Sequence, residues 1–244
     1  MKNKLLLLLI LPSLVGCTIS ADYSYQDADK YTEYSESFEV ENKISTLNVN
    51  WIGGSVKVLQ GEKFIIEEEK TDNPLYYWNQ FDDPESGGVF TIQCLKSGTD
   101  TNKIDFSKKN LTITVPYELD YLNLDIVSGN YEIDLDSVKE LDINVVSGNG
   151  QIELGSNKRA TIDTVSGTVT MEIRNTSIEE KIVINSVSGN ITFLLDPQRG
   201  FDVNFDSISG TLRNNFGTPE NPSLSKYLIE ADTVSSNVAI NKLA

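Results

Sequence analysis

From Leu122 onward the chain alternates apolar and polar residues with a period of two. Leu122, Leu124 and Ile126 lead into a Val-Ser-Gly corner, and Tyr131, Ile133 and Leu135 follow it; Leu141, Ile143 and Val145, then Ile152 and Leu154, repeat the scheme. Ile182 and Ile184 precede another corner and Ile191, Phe193 and Leu195 follow it, while Phe201, Val203 and Phe205 open a further unit. Period two is the strand period, with one face in a core and the other in water. The abundance of β-branched and aromatic residues agrees. Each unit therefore reads as strand, Ser-Gly corner, strand and polar connection. Earlier segments use the same idiom: Leu47, Val49 and Trp51 before Gly53-Gly54, then Phe64 to Ile66, Val89 to Leu95 and Leu111 to Pro116. No stretch after the first sixteen residues shows sustained helical periodicity.

The corner glycines are Gly129, Gly148, Gly167, Gly189 and Gly210, spaced by 19, 19, 22 and 21 residues, with a degenerate copy at Val234-Ser235-Ser236. A near-constant period marks stacked supersecondary units. Two topologies fit. Gly-Asn at the corner suits an antiparallel hairpin, whereas a fixed period suits a β-solenoid whose equivalent strands stack in parallel. The expectation is an all-β, single-domain solenoid with equivalent strands stacked in parallel, built from ~20-residue repeats over residues 39–244, with Ser and Asn ladders ~4.8 Å apart. Glycine is expected at the corner because a sharp bend there calls for positive φ.

The N-terminus changes the picture of location. Met1 to Lys4 is basic, Leu5 to Leu11 is an apolar run, and Leu14-Val15-Gly16-Cys17 has the pattern of a bacterial lipobox. Residues 1–16 read as a lipoprotein signal peptide. Cys17 is the expected lipidation site, anchoring the chain to the membrane and placing it outside the cytoplasm. Residues 17–38, polar, acidic and tyrosine-rich, read as a flexible tether.

Charge and composition then exclude function classes. The net charge is −16, with 36 acidic and 20 basic residues, which opposes nucleic-acid binding. The chain has no histidine, so Ser-His-Asp and Cys-His catalysis and His-ligated metals are absent. With Cys17 acylated, Cys94 is the one remaining thiol, in phase with Phe90 and Ile92, and reads as a small buried apolar residue. No enzymatic activity, cofactor or metal is expected. Asp82-Asp83-Pro84-Glu85 is the one acidic run suited to a weak Ca²⁺ site. Carboxylates such as Asp125, Asp142, Asp163, Glu132, Glu153 and Glu172 give no clean ladder, although sugar cleavage by paired acids stays an alternative.

The segment Asn73 to Phe81 concentrates Tyr76, Tyr77, Trp78 and Phe81. Such a cluster serves either as a binding platform or as a cap over an exposed solenoid end. Phe216 to Pro222 is a second loop of this kind.

The early strand with Gly53-Gly54, then Leu111 to Pro116, then Leu122 to Asn130 and the tandem Val-Ser-Gly units resemble the bacterial putative-adhesin β-strand-repeat family, a domain of unknown function, over about Ile44 to Ile240. The resemblance implies a right-handed β-solenoid in an envelope or secreted protein and offers no catalytic residue to carry over; the Pro74 to Phe81 insertion departs from it. The function expected is a non-enzymatic envelope lipoprotein that presents its solenoid to an unidentified envelope protein or polysaccharide. A polysaccharide-cleaving enzyme and a structural or stress-signalling envelope accessory are the alternatives.

Overall fold

The computed structural model describes residues 22–34, 37–81, 87–174, 181–224 and 226–243. Cys17 and the acidic run 82–85 lie outside the described residues.

The repeats stack in parallel. Strand Leu119–Ser156 pairs with Arg159–Ile173 so that Leu141 meets Ala160, Gly148 meets Gly167 and Leu154 meets Ile173. The register offset equals the sequence period, which selects the solenoid over the hairpin. Lys181–Ser186 and Asn190–Leu195 continue the stack on the two halves of Arg159–Ile173. Each coil is two strands joined at the Val-Ser-Gly corner, and their inward residues form columns. One column runs Val58, Ile133, Ile152, Met171, Phe193 and Ile240, every member sealed from solvent. A fully buried aliphatic side chain stabilises the fold by about 1.5–3 kcal/mol, so columns of this kind hold the coils together.

The corner glycines answer a closer constraint than bend geometry. A Cβ on Gly167 would sit 1.8 Å from the carbonyl oxygen of Gly148, and one on Gly148 1.8 Å from that of Gly129. Coils approach too closely there for any side chain. Positive φ is present at Gly148, Gly167 and Gly189, at 157°, 137° and 140°, but not at Gly129 or Gly210, so stacking distance is the requirement common to the ladder.

Coil order in space departs from order in sequence at both ends. Strand Tyr227–Thr233 inserts between Lys181–Ser186 and Phe201–Ser207, and Asn237–Lys242 inserts between Asn190–Leu195 and Leu212–Asn214. The Ser236 corner therefore lies between the Gly189 and Gly210 coils. At the other end, Ile44–Gln60 lies between Leu119–Ser156 on one side and Gly88–Gln93 with Asn110–Val115 on the other. Each outermost coil is thus reached by passing over a coil made from another part of the chain.

The N-terminal end is closed by antiparallel strands. Tyr76–Gln80 pairs with Gly88–Gln93, and Ile65–Glu68 with Asn110–Val115. Residues expected to be a flexible tether join this cap. Asp22–Tyr23 pairs with Thr99–Asp100, Thr32–Glu33 with Tyr76 and Tyr77, and Phe38–Glu39 with Ile65 and Ile66. The cause is aromatic packing: Tyr23 meets Tyr25 at 5.6 Å, Tyr25 meets Tyr31 at 4.8 Å, and Tyr31 meets Trp78 at 5.7 Å, all edge-to-face. Average composition, dominated by the acids between these tyrosines, concealed that surface.

Candidate functional site

The aromatic insertion spends most of its rings on closing the end of the solenoid. Tyr77 stacks on Phe90 at 5.5 Å and lies 4.7 Å from Phe38. Tyr76 is buried and its hydroxyl donates to Glu33, and burial together with that carboxylate pushes the phenol up to about 12. The ring of Phe81 lies where a side chain at Gly88 would be, 2.3 Å from the Cβ position. Trp78 is half-buried beneath Lys30, whose ammonium lies 4.7 Å from the ring centre. The four residues, read from the sequence as either a binding platform or a cap, are brought together over the end of the solenoid.

Beneath the cap lies a buried ion pair. Lys109 and Glu68 are sealed from solvent, Lys109 also donates to the Asn73 carbonyl at 2.7 Å, and Glu68 accepts from Leu75 N–H at 2.8 Å. Burial pushes the Glu68 carboxyl above the usual carboxylate range despite Lys109. These bonds hold the loop that carries the aromatic residues. Cys94 lies close by, sealed from solvent, and burial pushes its thiol up to about 11. It packs as the sequence suggests.

The surface that remains open is the corner edge. Val127 follows the inward Ile126, so period-two alternation turns it outward, and the same holds for Val146 after Val145 and Val165 after Thr164. Val127 and Val146 are each 51% exposed, Val165 47% and Ile208 71%. Ile52, Val187 and Val234 occupy the equivalent position in the other coils and are half-buried. In spatial order the row is Ile52, Val127, Val146, Val165, Val187, Val234 and Ile208. At one strand spacing per coil it runs for about 29 Å. These aliphatic residues were not singled out from the sequence, although their phase relative to the inward column was the available signal.

The serines beside them are structural. Ser188 and Ser235 donate through N–H and Oγ to the carbonyls of Val165 and Val187, with N···O distances of 2.9 Å in both cases, and Ser209 does the same to Val234 at 2.8 Å. The next position is an amide and hydroxyl ladder. Asn149 and Thr168 donate backbone N–H to the side-chain oxygens of Asn130 and Asn149 at 3.2 Å, and Thr211 Oγ1 donates to Asn237 at 2.7 Å. These residues border a shallow groove of about 620 Å³, also lined by Val56, Lys57, Tyr131, Glu132, Gly150 and Gln151. It has no enclosed cleft.

The carboxylates are dispersed. Register places Asp125 beside Asn50, and Asp163 between Asn144 and Asn185. Asn144 donates to Asp125 at 2.9 Å and Asn185 to Asp163 at 2.6 Å. Alternating amide and acid keeps like charges two coils apart. Asp142 instead accepts from the Tyr121 hydroxyl at 2.6 Å, and Glu153 and Glu172 are bridged by Arg174 at 2.5 Å each. Among the described residues no group of three His, Cys, Asp or Glu side chains is placed to hold a metal ion, and no helix is long and apolar enough to cross a membrane.

A family model described as Toastrack DUF4097 matches residues 40–239. Among solved structures, a putative cell adhesion protein from Clostridium sporogenes superposes with a TM-score of 0.54 at 17% identity, over 86% of this chain and 100% of that one. A putative adhesin from Bacteroides fragilis gives a TM-score of 0.44 at 14% identity, over 88% and 97%. At 17% identity the likeness to the Clostridium sporogenes protein is one of fold. A search of the curated proteins found no match.

Proposed function

The chain belongs to the Toastrack DUF4097 family, and from that premise we propose that it is a non-enzymatic binding protein of the cell envelope, anchored through Cys17, whose corner edge meets an external partner. One observation carries the reading. Val127, Val146 and Val165 expose aliphatic side chains on three successive coils, and Ile208 does so at the far end of the same row; among the described residues the other exposed large apolar side chain is Leu228. Exposed aliphatic patches with a polar rim mark interaction sites. The row needs no ligand for its own folding, because the inward columns and corner hydrogen bonds already define the coil. β-branched side chains lack the flat faces that stack on sugar rings, which favours a protein partner over a polysaccharide. The description of the Clostridium sporogenes protein of similar fold as a putative cell adhesion protein agrees with a binding role. The scattered, paired carboxylates favour binding over hydrolysis.

A second reading rests on the neighbouring groove. Asn130, Asn149, Gln151 and Thr168 present amides and hydroxyls along the solenoid axis, a lining suited to an extended polysaccharide.

Photo-crosslinking in living cells separates the two. A crosslinkable residue at Val146 is expected to give a discrete adduct that protease removes. An adduct formed only from Gln151, resistant to protease and lost on glycan digestion, would favour the groove. No adduct from either position would refute a binding role for this edge.

A further inference from the structure

The two ends of the solenoid differ. At the N-terminal end the edges are the two-residue strands Thr32–Glu33 and Phe38–Glu39, and aromatic rings cover the core. At the C-terminal end the outermost strand is Phe201–Ser207, seven residues long, and among the described strands it pairs only with Tyr227–Thr233. Among the described strands its companion Leu212–Asn214 pairs only with Asn237–Lys242. Phe201, Val203, Phe205 and Leu212 point along the core columns but are half-buried, whereas Tyr227, Ile229, Ala231 and Val238 one coil inward are sealed. Phe216 covers one part of this end, edge-to-face on Phe201 at 5.5 Å. Elsewhere the strand edge and its apolar residues have no further coil against them among the described residues.

The polar column of the sheet indicates what that next coil would carry. In this column inside the stack, Asp125 and Asp163 each accept from an Asn of the next coil, Asn144 and Asn185 respectively. At this end the alternation stops: Asp206 lies in register beside Asp232, both exposed, and neither is in an ion pair among the described residues. A strand added beyond Asp206 therefore meets two stacked carboxylates and favours a cation there. Asp202, on the same outward face, already takes Lys226 at 2.8 Å. A second copy of this chain fits poorly. Antiparallel self-pairing centred on Asn204 would set Asp202 opposite Asp206, and directly opposed like charges are destabilising.

We infer that the open C-terminal end accepts one extended strand from another protein, with apolar residues alternating with Lys or Arg. This β-augmentation uses main-chain hydrogen bonds for affinity and side-chain alternation for specificity. It is separate from the valine row and does not depend on it.

The test uses the full mature chain and a seven-residue peptide in which Lys alternates with Val or Ile, blocked at both termini. A block-ordered peptide of the same composition is the control. The alternating peptide is expected to bind at least about tenfold more tightly than the control. It is also expected to slow amide exchange across 201–207 and 212–214, and Asp206→Lys should weaken it at least about tenfold while leaving the unfolding midpoint unchanged. Equal binding of the two peptides, protection located elsewhere, or indifference to Asp206→Lys would each overturn the inference. So would a dimer of the chain in sedimentation whose amide protection falls on 201–207, since the occupant would then be a second copy.

Discussion

The ring of Tyr131 lies over Gly150 of the next coil: a Cβ built on Gly150 would fall 2.0 Å from Tyr131 Cζ and 2.2 Å from its hydroxyl oxygen. The two residues share one inward column, whose other members include Val56, Val169, Ile191 and Val238. The largest side chain of the column is accommodated by the absence of one beside it. Gly150→Ala is expected to destabilise the fold by about 2 kcal/mol through overpacking. Tyr131→Val in the same chain should recover at least about 1 kcal/mol, a coupling that a denaturant double-mutant cycle measures. Additive effects would contradict the contact.

Stacking distance rather than bend geometry governs the corner ladder. Gly167→Ala places its Cβ 1.8 Å from Gly148 O and is expected to cost about 3 kcal/mol. Gly217 has φ of 73° but nothing within 4 Å of its Cβ position, so Gly217→Ala should cost only about 1 kcal/mol. Thermal unfolding of the two variants ranks them, and equal losses would mean that positive φ alone matters.

The Lys109–Glu68 pair is sealed on both sides. Lys109→Met alone leaves a carboxylate buried without its cation and is expected to cost about 3–5 kcal/mol. Adding Glu68→Leu should return part of that loss. The same variants should loosen the aromatic insertion, visible as faster amide exchange over 73–80.

Alkaline pH should weaken the fold. Burial raises the phenols of Tyr23 and Tyr131 and the thiol of Cys94, and raises Tyr76 and Tyr121 with help from Glu33 and Asp142. Each group holds its proton more tightly when folded than when unfolded. The folded chain therefore binds more protons between pH 9 and about 11 for Cys94, and between pH 10 and about 12 for Tyr76 and Tyr121. Stability from these groups is complete below pH 9 and falls as pH rises through those windows. Unfolding midpoints should be level with respect to these groups up to pH 9 and then decline; a midpoint unchanged to pH 12 would contradict their burial.

The sequence made the repeat legible because the fold repeats it physically. Leu141, Ile143 and Val145 alternate because they fill columns, and the 19-residue offset from Gly148 to Gly167 is the register itself. Coil order at the ends was hidden because every coil carries interchangeable columns. Nothing local distinguishes Tyr227–Thr233 as a neighbour of Lys181–Ser186 from the sequential alternative. The folded state of residues 22–34 was hidden because it depends on Tyr23, Tyr25 and Tyr31 meeting Trp78 across a long sequence separation. The corner valines were visible in sequence but misread as part of a turn motif. Only the adjacent Ile126, Val145 and Thr164, facing inward, reveal that Val127, Val146 and Val165 must face out.

The central claim is that the corner edge is a binding surface. The most direct measurement compares wild type with the Val127→Asn/Val146→Asn/Val165→Asn variant for retention on intact cells lacking the endogenous protein, using the soluble chain without residues 1–17. The substitutions lie on exposed positions and should leave the unfolding midpoint within a few degrees. Retention reduced at least about tenfold, with the fold intact, is the result predicted. Undiminished retention by a folded variant would contradict the claim.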